Sequence, residues 1–296
     1  MKKFFRRCCV SFLTRTCRIW PDKLYLGLLC RVRLGYKINW NNPKTFSEKL
    51  QWLKVYYRNP LYTCLVDKYR VKEYVADKLG VEFIIPNFGV WNHFDEIDFS
   101  ALPEKFALKC THDSGGIVLC KDKSNLDIAK ARTKLNKSLK YDFFYLGREW
   151  PYRNVMRKII AEELLVSDDG EDLKDYKFFC FGGEVKCFKI DLDRFSNHGA
   201  NYYDKECNLL NFGEAYYPPK PNRQIKFPDN INEMISAAET LSKDIPFVRV
   251  DFYNVNGRIY FGEMTFFPAG GTCPYTSYEA DLLLGSWLQL PKPIKE

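Results

Sequence analysis

Apolar residues at helical spacing characterise the first third of the chain. Thr45 and Glu48 have the S/T-x-x-E spacing of a capping box and directly precede an apolar stripe in "FSEKLQWLK". A second stripe in "VKEYVADKL" ends at Gly80, a residue that commonly terminates helices. The pattern predicts that residues 41–80 are mainly helical.

From residue 81 onward, alternation of apolar and polar residues becomes the main pattern. It predicts strands in "VEFIIP", "EKFALKC", "GIVLCK" and the middle of "RKIIAEELLVS". It also predicts a hairpin in "DYKFFCFGGEVKCFKIDL", turning at Gly182–Gly183, and an amphipathic helix in "INEMISAAETLSK". The last hairpin is "FVRVDFYNVNGRIYFGEMTF". Helices mixed with antiparallel strands indicate an α+β fold.

The last hairpin divides into an apolar face and a polar face. Its even-numbered residues are mostly large and apolar, and its odd-numbered residues include Arg249, Asp251, Glu263 and Thr265. A plain two-residue turn at Asn256–Gly257 would place Asp251 and Glu263 on opposite faces of the hairpin. We therefore expect an odd loop, such as three residues with a bulge, that brings these side chains together.

If the two carboxylates lie side by side, they repel each other unless a cation lies between them. Oxygen ligands of this kind suit Mg²⁺ that bridges to phosphates. The alternative is a solvated polar face on which Arg249 neutralises the acids. The hairpin alone leaves both interpretations open.

A glycine-containing loop, "KCTHDSGGIVLC", separates two predicted strands. Gly115 and Gly116 would allow backbone N–H groups to approach phosphate oxygens, and Lys109 could reach the same phosphates. An ordinary hairpin turn is the alternative. The letters Asp-Ser-Gly-Gly also occur around the nucleophile of chymotrypsin-like proteases, but the helical first third of the chain leaves no place for the other triad residues.

Positive charge is concentrated at the N-terminus. The net charge is +8, with ten Lys/Arg and one acid in residues 1–40. The rest of the chain is close to neutral, which argues against a nucleic-acid binder. Residues 1–20 place apolar residues at helical spacing among the bases, as in helices that lie on anionic membrane surfaces. An ordinary first helix with a solvated basic face is equally consistent with this pattern.

Eleven cysteines are scattered without a C-x-x-C pair. A secreted disulfide framework or a zinc ribbon would have a different spacing. The pattern indicates reduced thiols in a cytoplasmic protein, with the option of peripheral attachment to the inner membrane face through residues 1–20.

Several segments together resemble one known family. In chain order they are "KTFSEKLQWLK", "DKYRVKEYV", "LPEKFALKCTHDSGG", "EELL", "DYKFFCF", "RVDFY" and "IYFGEMTFFPAGG". Their order resembles the TupA-like branch of the ATP-grasp superfamily, from about residue 35 to the C-terminus. The resemblance implies an α+β ATP-grasp fold preceded by a helical N-terminal region. The implied units are a basic arm (1–40), a helical and α/β region (41–104) and an ATP-grasp domain (105–296) with subdomains at about 105–165 and 166–296.

The resemblance also implies roles for individual residues. Arg249, Lys177 and Lys109 would be catalytic, and Asp251, Glu263 and Thr265 would bind Mg²⁺, although the superfamily usually has Asn at the position of Thr265. The nucleotide-binding residues would be Lys68, Lys109, His112, Ser114, Gly115, Gly116, Glu162, Glu163, Leu164, Leu165 and Lys177. The predicted contacts to a sugar carboxylate, which come from their place near the presumed cleft, are Arg194, His198 and Tyr202.

The implied activity is an ATP- and Mg²⁺-dependent carboxylate–amine ligase. It would join an amino acid or another amine donor to a uronic acid of a surface polysaccharide or its lipid-linked precursor, through an acyl phosphate. A metal-dependent glycosyltransferase is the alternative enzyme, for which "DLD" at 191–193 would be the metal site. A scaffold that binds nucleotide or membrane without catalysis is the third interpretation.

Overall fold

Two antiparallel sheets and their covering helices form the part of the chain that the structure, a computed structural model, describes: residues 2–166, 173–193 and 196–294. The helices in these ranges are α1 (Lys2–Arg15), α2 (Asp22–Leu34), α3 (Phe46–Tyr56), α4 (Leu61–Val66), α5 (Val71–Leu79), α6 (Ile128–Lys140), α7 (Phe144–Gly147), α8 (Ile231–Leu241) and α9 (Tyr278–Trp287). The strands are β1 (Asn87–Trp91), β2 (Phe106–Cys110), β3 (Ile117–Cys120), β4 (Ile159–Glu163), β5 (Asp175–Phe181), β6 (Glu184–Leu192), β7 (Gly199–Tyr203), β8 (Phe247–Val255) and β9 (Arg258–Thr265).

The predicted helix signals are confirmed. The Thr45 hydroxyl accepts a hydrogen bond from the Glu48 amide at 3.1 Å, and the Glu48 carboxylate accepts one from the Thr45 amide at 3.0 Å. Gly80 ends α5 with a φ of 107°, which lies in the region that favours glycine. A local hydrogen-bond pair therefore defines the start of α3, and the backbone conformation of a glycine defines the end of α5.

The four-stranded sheet has the order β1-β4-β2-β3. Helix α6 packs against β2 and β3, and its Leu135 joins a core that includes Phe106 and Ile159. Because β1 pairs with β4, this sheet includes residues before the predicted boundary at 105. The domain boundaries otherwise stay predictions.

The strand predicted in "VEFIIP" is wrong. Val81–Phe83 form a single 3₁₀ turn, and the strand begins only at Asn87. Phe83 and Ile84 pack instead against the larger core, and Ile85 is buried. The apolar run is therefore a partly buried connection between α5 and β1.

The five-stranded sheet has the order β7-β6-β5-β8-β9, and α8 packs on its apolar face. Five polar side chains occupy one row across this sheet, in adjacent register positions on successive strands. They are Tyr202, Lys189, Lys177, Asp251 and Glu263. Alternation along each strand places this row on the face opposite α8.

The last hairpin pairs Asp251 with Glu263, as predicted, but a bulge within a strand, and not an odd loop, produces this pairing. The turn is a plain two-residue turn at Asn256–Gly257, with φ angles of 53° and 81°. The extra residue is Gly262, at a bulge inside β9. A Cβ atom at Gly262 would lie 3.0 Å from the Asp251 carbonyl oxygen, so the close approach of β8 favours glycine there.

The N-terminal helices pack on each other. Leu13 and Cys17 join a small core with Tyr25, Leu26 and Leu29 of α2. Within the three described ranges, no helix combines the length and apolar character needed to cross a bilayer.

Candidate active site

A cleft of about 550 Å³ opens between the polar face of the five-stranded sheet and the four-stranded sheet. Residues from both sheets and from the segment after β4 line it. The lining includes eleven of the predicted site residues: Lys68, Lys109, Ser114, Glu162, Glu163, Leu164, Leu165, Lys177, Arg249, Asp251 and Glu263. Apolar and aromatic side chains such as Ile85, Leu173 and Tyr253 also line the cleft. The cleft therefore has an apolar wall and a charged end.

Lys109 on β2 and Glu162 on β4 form an ion pair at 2.6 Å within the cleft. Lys72 of α5 contacts the other oxygen of the same carboxylate, also at 2.6 Å. Burial acts to raise the pKa of Glu162, but Lys109 and Lys72 together hold it below its usual value. Glu162 therefore fixes two ammonium groups, one of which lies at the cleft surface.

Lys177 is buried on β5 between acids. Its ammonium group is 2.8 Å from Asp175 and 2.8 Å from Asp191, and Asp251 is its neighbour in register. Burial acts to lower the pKa of Lys177, but Asp251, Asp175 and Asp191 raise it above its usual value. Lys177 is therefore a fixed positive charge in the centre of the polar row.

Arg249 lies between the two predicted metal ligands. Its Nη2 is 2.6 Å from the Asp251 carboxylate, 3.0 Å from the Glu263 carboxylate and 3.1 Å from the Thr265 hydroxyl. Burial raises the pKa of Asp251 to about 6, although Arg249 and Lys177 act to lower it. For Glu263, burial is outweighed by Lys68, Arg249 and Lys177, which hold its pKa below the usual value.

This donor set fits a hard cation. The Arg249 guanidinium group contacts both carboxylates, and the Thr265 hydroxyl lies beside them without lining the cleft. Among the described residues, no group of three or more His, Cys, Asp or Glu side chains could hold a metal by itself. A metal here would therefore need water and phosphate oxygens as well, which is the usual coordination of Mg²⁺.

Of the predicted covering loop, only Ser114 lines the cleft. Asp113 is buried, and its carboxylate accepts hydrogen bonds from the Gly116 amide at 3.0 Å and from Ser138. Lys68 donates to the Asp113 carbonyl oxygen. The loop is therefore attached on three sides, with Ser114 and Gly115 exposed at its tip.

His112 belongs to this loop but does not line the cleft. Its side chain is buried, with Nε2 3.2 Å from the Ser138 carbonyl oxygen, and burial lowers its pKa. This placement argues against the predicted contact between His112 and a nucleotide.

Of the three predicted contacts to a sugar carboxylate, the two that lie in the described residues have different partners. Tyr202 is fully buried, and its hydroxyl donates to Glu214 at 2.8 Å, which argues against a contact with substrate. His198 Nε2 is 3.2 Å from Asp191, and its ring lies against Tyr217 with a centroid distance of 4.1 Å. The third residue, Arg194, lies outside the described residues.

The "DLD" segment does not form a shared carboxylate site. The Asp191 side chain is buried beside Lys177, whereas Asp193 is 2.6 Å from Lys220 at the surface. The two acids therefore have different partners, and this geometry argues against the glycosyltransferase interpretation.

Sequence reasoning missed two charged residues of this site. Asp175 alternates with Lys177 on β5, so the strand pattern contained a signal for it. Lys72 had no local signal, because its contact with Glu162 joins a helix to a strand far along the chain.

Comparison with known families identifies the chain. The sequence profile of the TupA-like ATP-grasp family matches residues 48–289. The chain therefore belongs to the TupA-like ATP-grasp family. Curated protein sequences give no match.

Solved structures with similar folds are distant in sequence. D-alanine–D-alanine ligase from Helicobacter pylori is 14% identical, over 76% of this chain and 61% of that chain, with a TM-score of 0.40. The ATP-grasp ligase PsnB, complexed with minimal precursor, Mg and ADP, is 12% identical over 74% of this chain and 57% of that chain, with a TM-score of 0.37. D-cycloserine synthetase DcsG is 15% identical over 77% and 70%, with a TM-score of 0.40. The chain thus spans less than two thirds of the length of the first two.

The family match confirms the predicted family and the α+β ATP-grasp fold. It also supports the predicted enzyme class, an ATP-grasp ligase, and the predicted cofactors, ATP and Mg²⁺.

Proposed function

We propose that this protein is an ATP- and Mg²⁺-dependent ligase that joins an amine to a carboxylate. The observation that carries the proposal is the charged end of the cleft, where Arg249, Asp251 and Glu263 lie beside Lys177 and across from Lys109. A fixed set of cations next to paired carboxylates suits a triphosphate with its metal ion. The apolar wall suits the adenine ring, with the segment Glu162–Leu165 along its edge.

In this proposal, each charged group has a separate task. Lys68, Lys109 and Lys177 bind phosphate oxygens, and Arg249 neutralises charge on the phosphoryl group in transfer. Asp251 and Glu263, with the Thr265 hydroxyl beside them, would hold Mg²⁺, which would supply further neutralisation of phosphate charge. The substrate carboxylate takes the terminal phosphoryl group as an acyl phosphate, and the amine then displaces phosphate to form the amide.

We infer that the carboxylate belongs to a uronic acid of a surface polysaccharide or its lipid-linked precursor, and that the amine belongs to an amino acid. The resemblance to the TupA-like family, which implies a role in surface-polysaccharide synthesis, supports this choice. Mass spectrometry of the surface glycan, from producing cells with and without the protein, tests it. We expect an amide-linked amino acid to disappear with the protein, and an unchanged glycan would reject this substrate class.

Purified protein tests the reaction itself. ADP release should require both a uronic acid, such as glucuronate, and an amino acid from a mixed set. Turnover of a UDP-sugar without any response to ATP would contradict the ligase proposal.

Removal of the Lys109 charge should weaken ATP binding more than removal of the Ser114 hydroxyl. Lys109→Met should raise the Kd for a non-hydrolysable ATP analogue with Mg²⁺ by about 10- to 100-fold, since a charge-assisted contact is lost. Ser114→Ala should raise it by about 2- to 10-fold, since one neutral hydrogen bond is lost. Isothermal titration calorimetry measures both values. Lys105→Met, at an exposed lysine near the start of the same strand, is the matched control, and equal Kd values for all three variants would contradict these roles.

We propose further that the N-terminal helices hold the enzyme on an anionic membrane surface, on the cytoplasmic side. Phe12 and Ile19 are 59% and 77% exposed, and Arg7, Arg15 and Arg18 are exposed near them in sequence. Exposed apolar side chains among bases suit a surface of anionic lipid headgroups. Leu13, by contrast, belongs to the core between α1 and α2, so only part of the apolar stripe is available to lipid.

Charge reversal tests this attachment without disturbing that core. Arg7→Glu with Arg15→Glu should weaken binding to phosphatidylglycerol-containing vesicles by about 30-fold or more, since each base contributes about 1 kcal/mol near such a surface. Vesicle co-sedimentation measures the effect, and phosphatidylcholine vesicles should bind neither form. Lys134→Glu with Lys137→Glu, on the exposed side of α6, is the matched control. Equal binding by the two double variants would reject an attachment through these helices.

A further inference from the structure

A groove of about 500 Å³ lies between helix α2 and the chain segment 37–40 that follows the helix. The described residues that line this α2 groove are all different from those that line the cleft. Its volume is in the range of sites that bind small molecules. The proposed ligase reaction gives this groove no task.

The spacing of residues on α2 opens the floor of the groove. Lys23, Gly27 and Arg31 are four residues apart and lie on one face of the helix, so Lys23 and Arg31 are about 12 Å apart along its axis. A Cβ atom built at Gly27 would meet Trp40 Nε1 at 4.0 Å, an ordinary van der Waals distance. A large side chain at position 27 would therefore occupy the space between the two bases.

The walls of the α2 groove are apolar. Leu24, Leu28 and Ile38 line it, and Leu24 is 49% exposed. Trp40 also lines it, and the centroid of its ring is 5.5 Å from the Lys23 ammonium nitrogen. Apolar surface and positive charge therefore meet within one groove.

The charge around the α2 groove is positive. Lys23, Arg31 and Lys37 line it and are exposed, and among the described residues of the lining there is no carboxylate. The carboxylate of Asp22, the neighbour of Lys23 in sequence, is already paired with two arginines at 3.0 and 2.6 Å. A ligand with a negative group would therefore complement the charge of the groove.

We propose that the α2 groove binds one molecule of an anionic membrane phospholipid. The phosphate group lies among the three bases, and an acyl chain lies over Gly27 and against the apolar walls. A peptide with acidic side chains would supply the same charge, but its backbone N–H and C=O groups would find no partners against these walls. The inference deepens the proposed membrane attachment and rests on it for the source of the lipid.

A soluble short-chain lipid tests this proposal without a membrane. Isothermal titration calorimetry with dihexanoyl phosphatidylglycerol, below its micelle concentration, should show binding to the full chain. Dihexanoyl phosphatidylcholine has the same acyl chains and no net charge, and it should bind at least about 10-fold more weakly. Inorganic phosphate alone should not bind. Absence of binding to the phosphatidylglycerol, or equal affinity for either of the other two probes, would overturn the proposal.

Two changes within the α2 groove test the location of the lipid. Lys23→Glu with Arg31→Glu should raise the Kd for dihexanoyl phosphatidylglycerol by about 10- to 100-fold, because repulsion replaces charge-assisted contacts. Gly27→Leu should raise it by about 10-fold or more, because the side chain fills the groove, and leucine favours a helix more than glycine does, so this variant should fold. Lys134→Glu with Lys137→Glu, on α6, is the charge control and should stay within about threefold of wild type. Wild-type affinity in both groove variants would place the lipid elsewhere and overturn the proposal.

Two further measurements separate this proposal from its alternatives. Sedimentation velocity tests a second copy of the chain as the occupant, and a wild-type dimer that Gly27→Leu converts to a monomer would overturn the lipid assignment. Vesicle co-sedimentation tests the attachment itself. Wild type that binds phosphatidylglycerol vesicles but not the short-chain lipid would overturn this inference alone, whereas binding of the short-chain lipid without binding to vesicles would reject the attachment alone.

Discussion

Replacement of Glu263 by glutamine should lower ATP-dependent turnover by about 100-fold or more and leave the fold intact. The reason is that Glu263 is one of two facing carboxylates that would hold Mg²⁺ against the phosphates, and loss of such charge neutralisation costs several kcal/mol in the transition state. The Glu263 side chain is 37% exposed, so the neutral amide causes little loss of stability. Steady-state ADP release, with thermal unfolding in parallel, measures both effects.

Asp251→Asn should give a similar loss of turnover, because Asp251 faces Glu263 across the same pair of strands. Glu104→Gln, at an exposed carboxylate outside the cleft lining, is the control and should keep wild-type turnover. Full activity of the Glu263→Gln variant would place the metal site elsewhere or favour a protein that binds nucleotide without catalysis.

Lys177→Met should destabilise the protein by about 3–5 kcal/mol, which is typical when one partner of a buried ion pair is removed. The Lys177 side chain is 6% exposed and contacts both Asp175 and Asp191. Methionine fills a similar volume but leaves these carboxylates without their shared cation. Urea denaturation measures the difference in the free energy of unfolding.

The loss of unfolding free energy in the Lys177→Met variant should depend on pH with a defined sign. Burial already raises the pKa of Asp251 to about 6, and Lys177 acts to lower it, so without Lys177 this pKa should lie still further above its unfolded value. The folded variant would then bind a proton more readily than the unfolded chain. The loss of unfolding free energy should therefore be larger at pH 8 than at pH 5. Lys186→Met removes a lysine from a surface pair on β6, where both side chains are at least one third exposed, and should cost at most about 1 kcal/mol. A Lys177→Met variant as stable as this control would contradict the proposed charge arrangement.

The features that sequence predicted well depend on local rules. The capping box of Thr45 and Glu48 requires only a fixed spacing, and alternation along β8 and β9 places Arg249, Asp251 and Glu263 on one face. The β-bulge that sets the register of the last hairpin could not be predicted in the same way. Gly262 could serve in a turn, in a bulge or at a close contact, and only its distance to β8 distinguishes these roles.

Features that depend on contacts between distant segments were missed. The strand expected in "VEFIIP" fails because its apolar residues pack against the larger core, which periodicity does not reveal. Tyr202 was placed in the site because of its neighbours in sequence, but its side chain is fully buried and its hydroxyl donates to Glu214.

The central claim is that the substrate carboxylate is phosphorylated by ATP before the amine attacks. Incubation with a uronic acid labelled with oxygen-18 in its carboxyl group, together with ATP, Mg²⁺ and an amino acid, tests this claim most directly. Mass spectrometry of the released phosphate should show one labelled oxygen for each amide formed. Amide formation without label in the phosphate would contradict the acyl phosphate route and with it the proposed function.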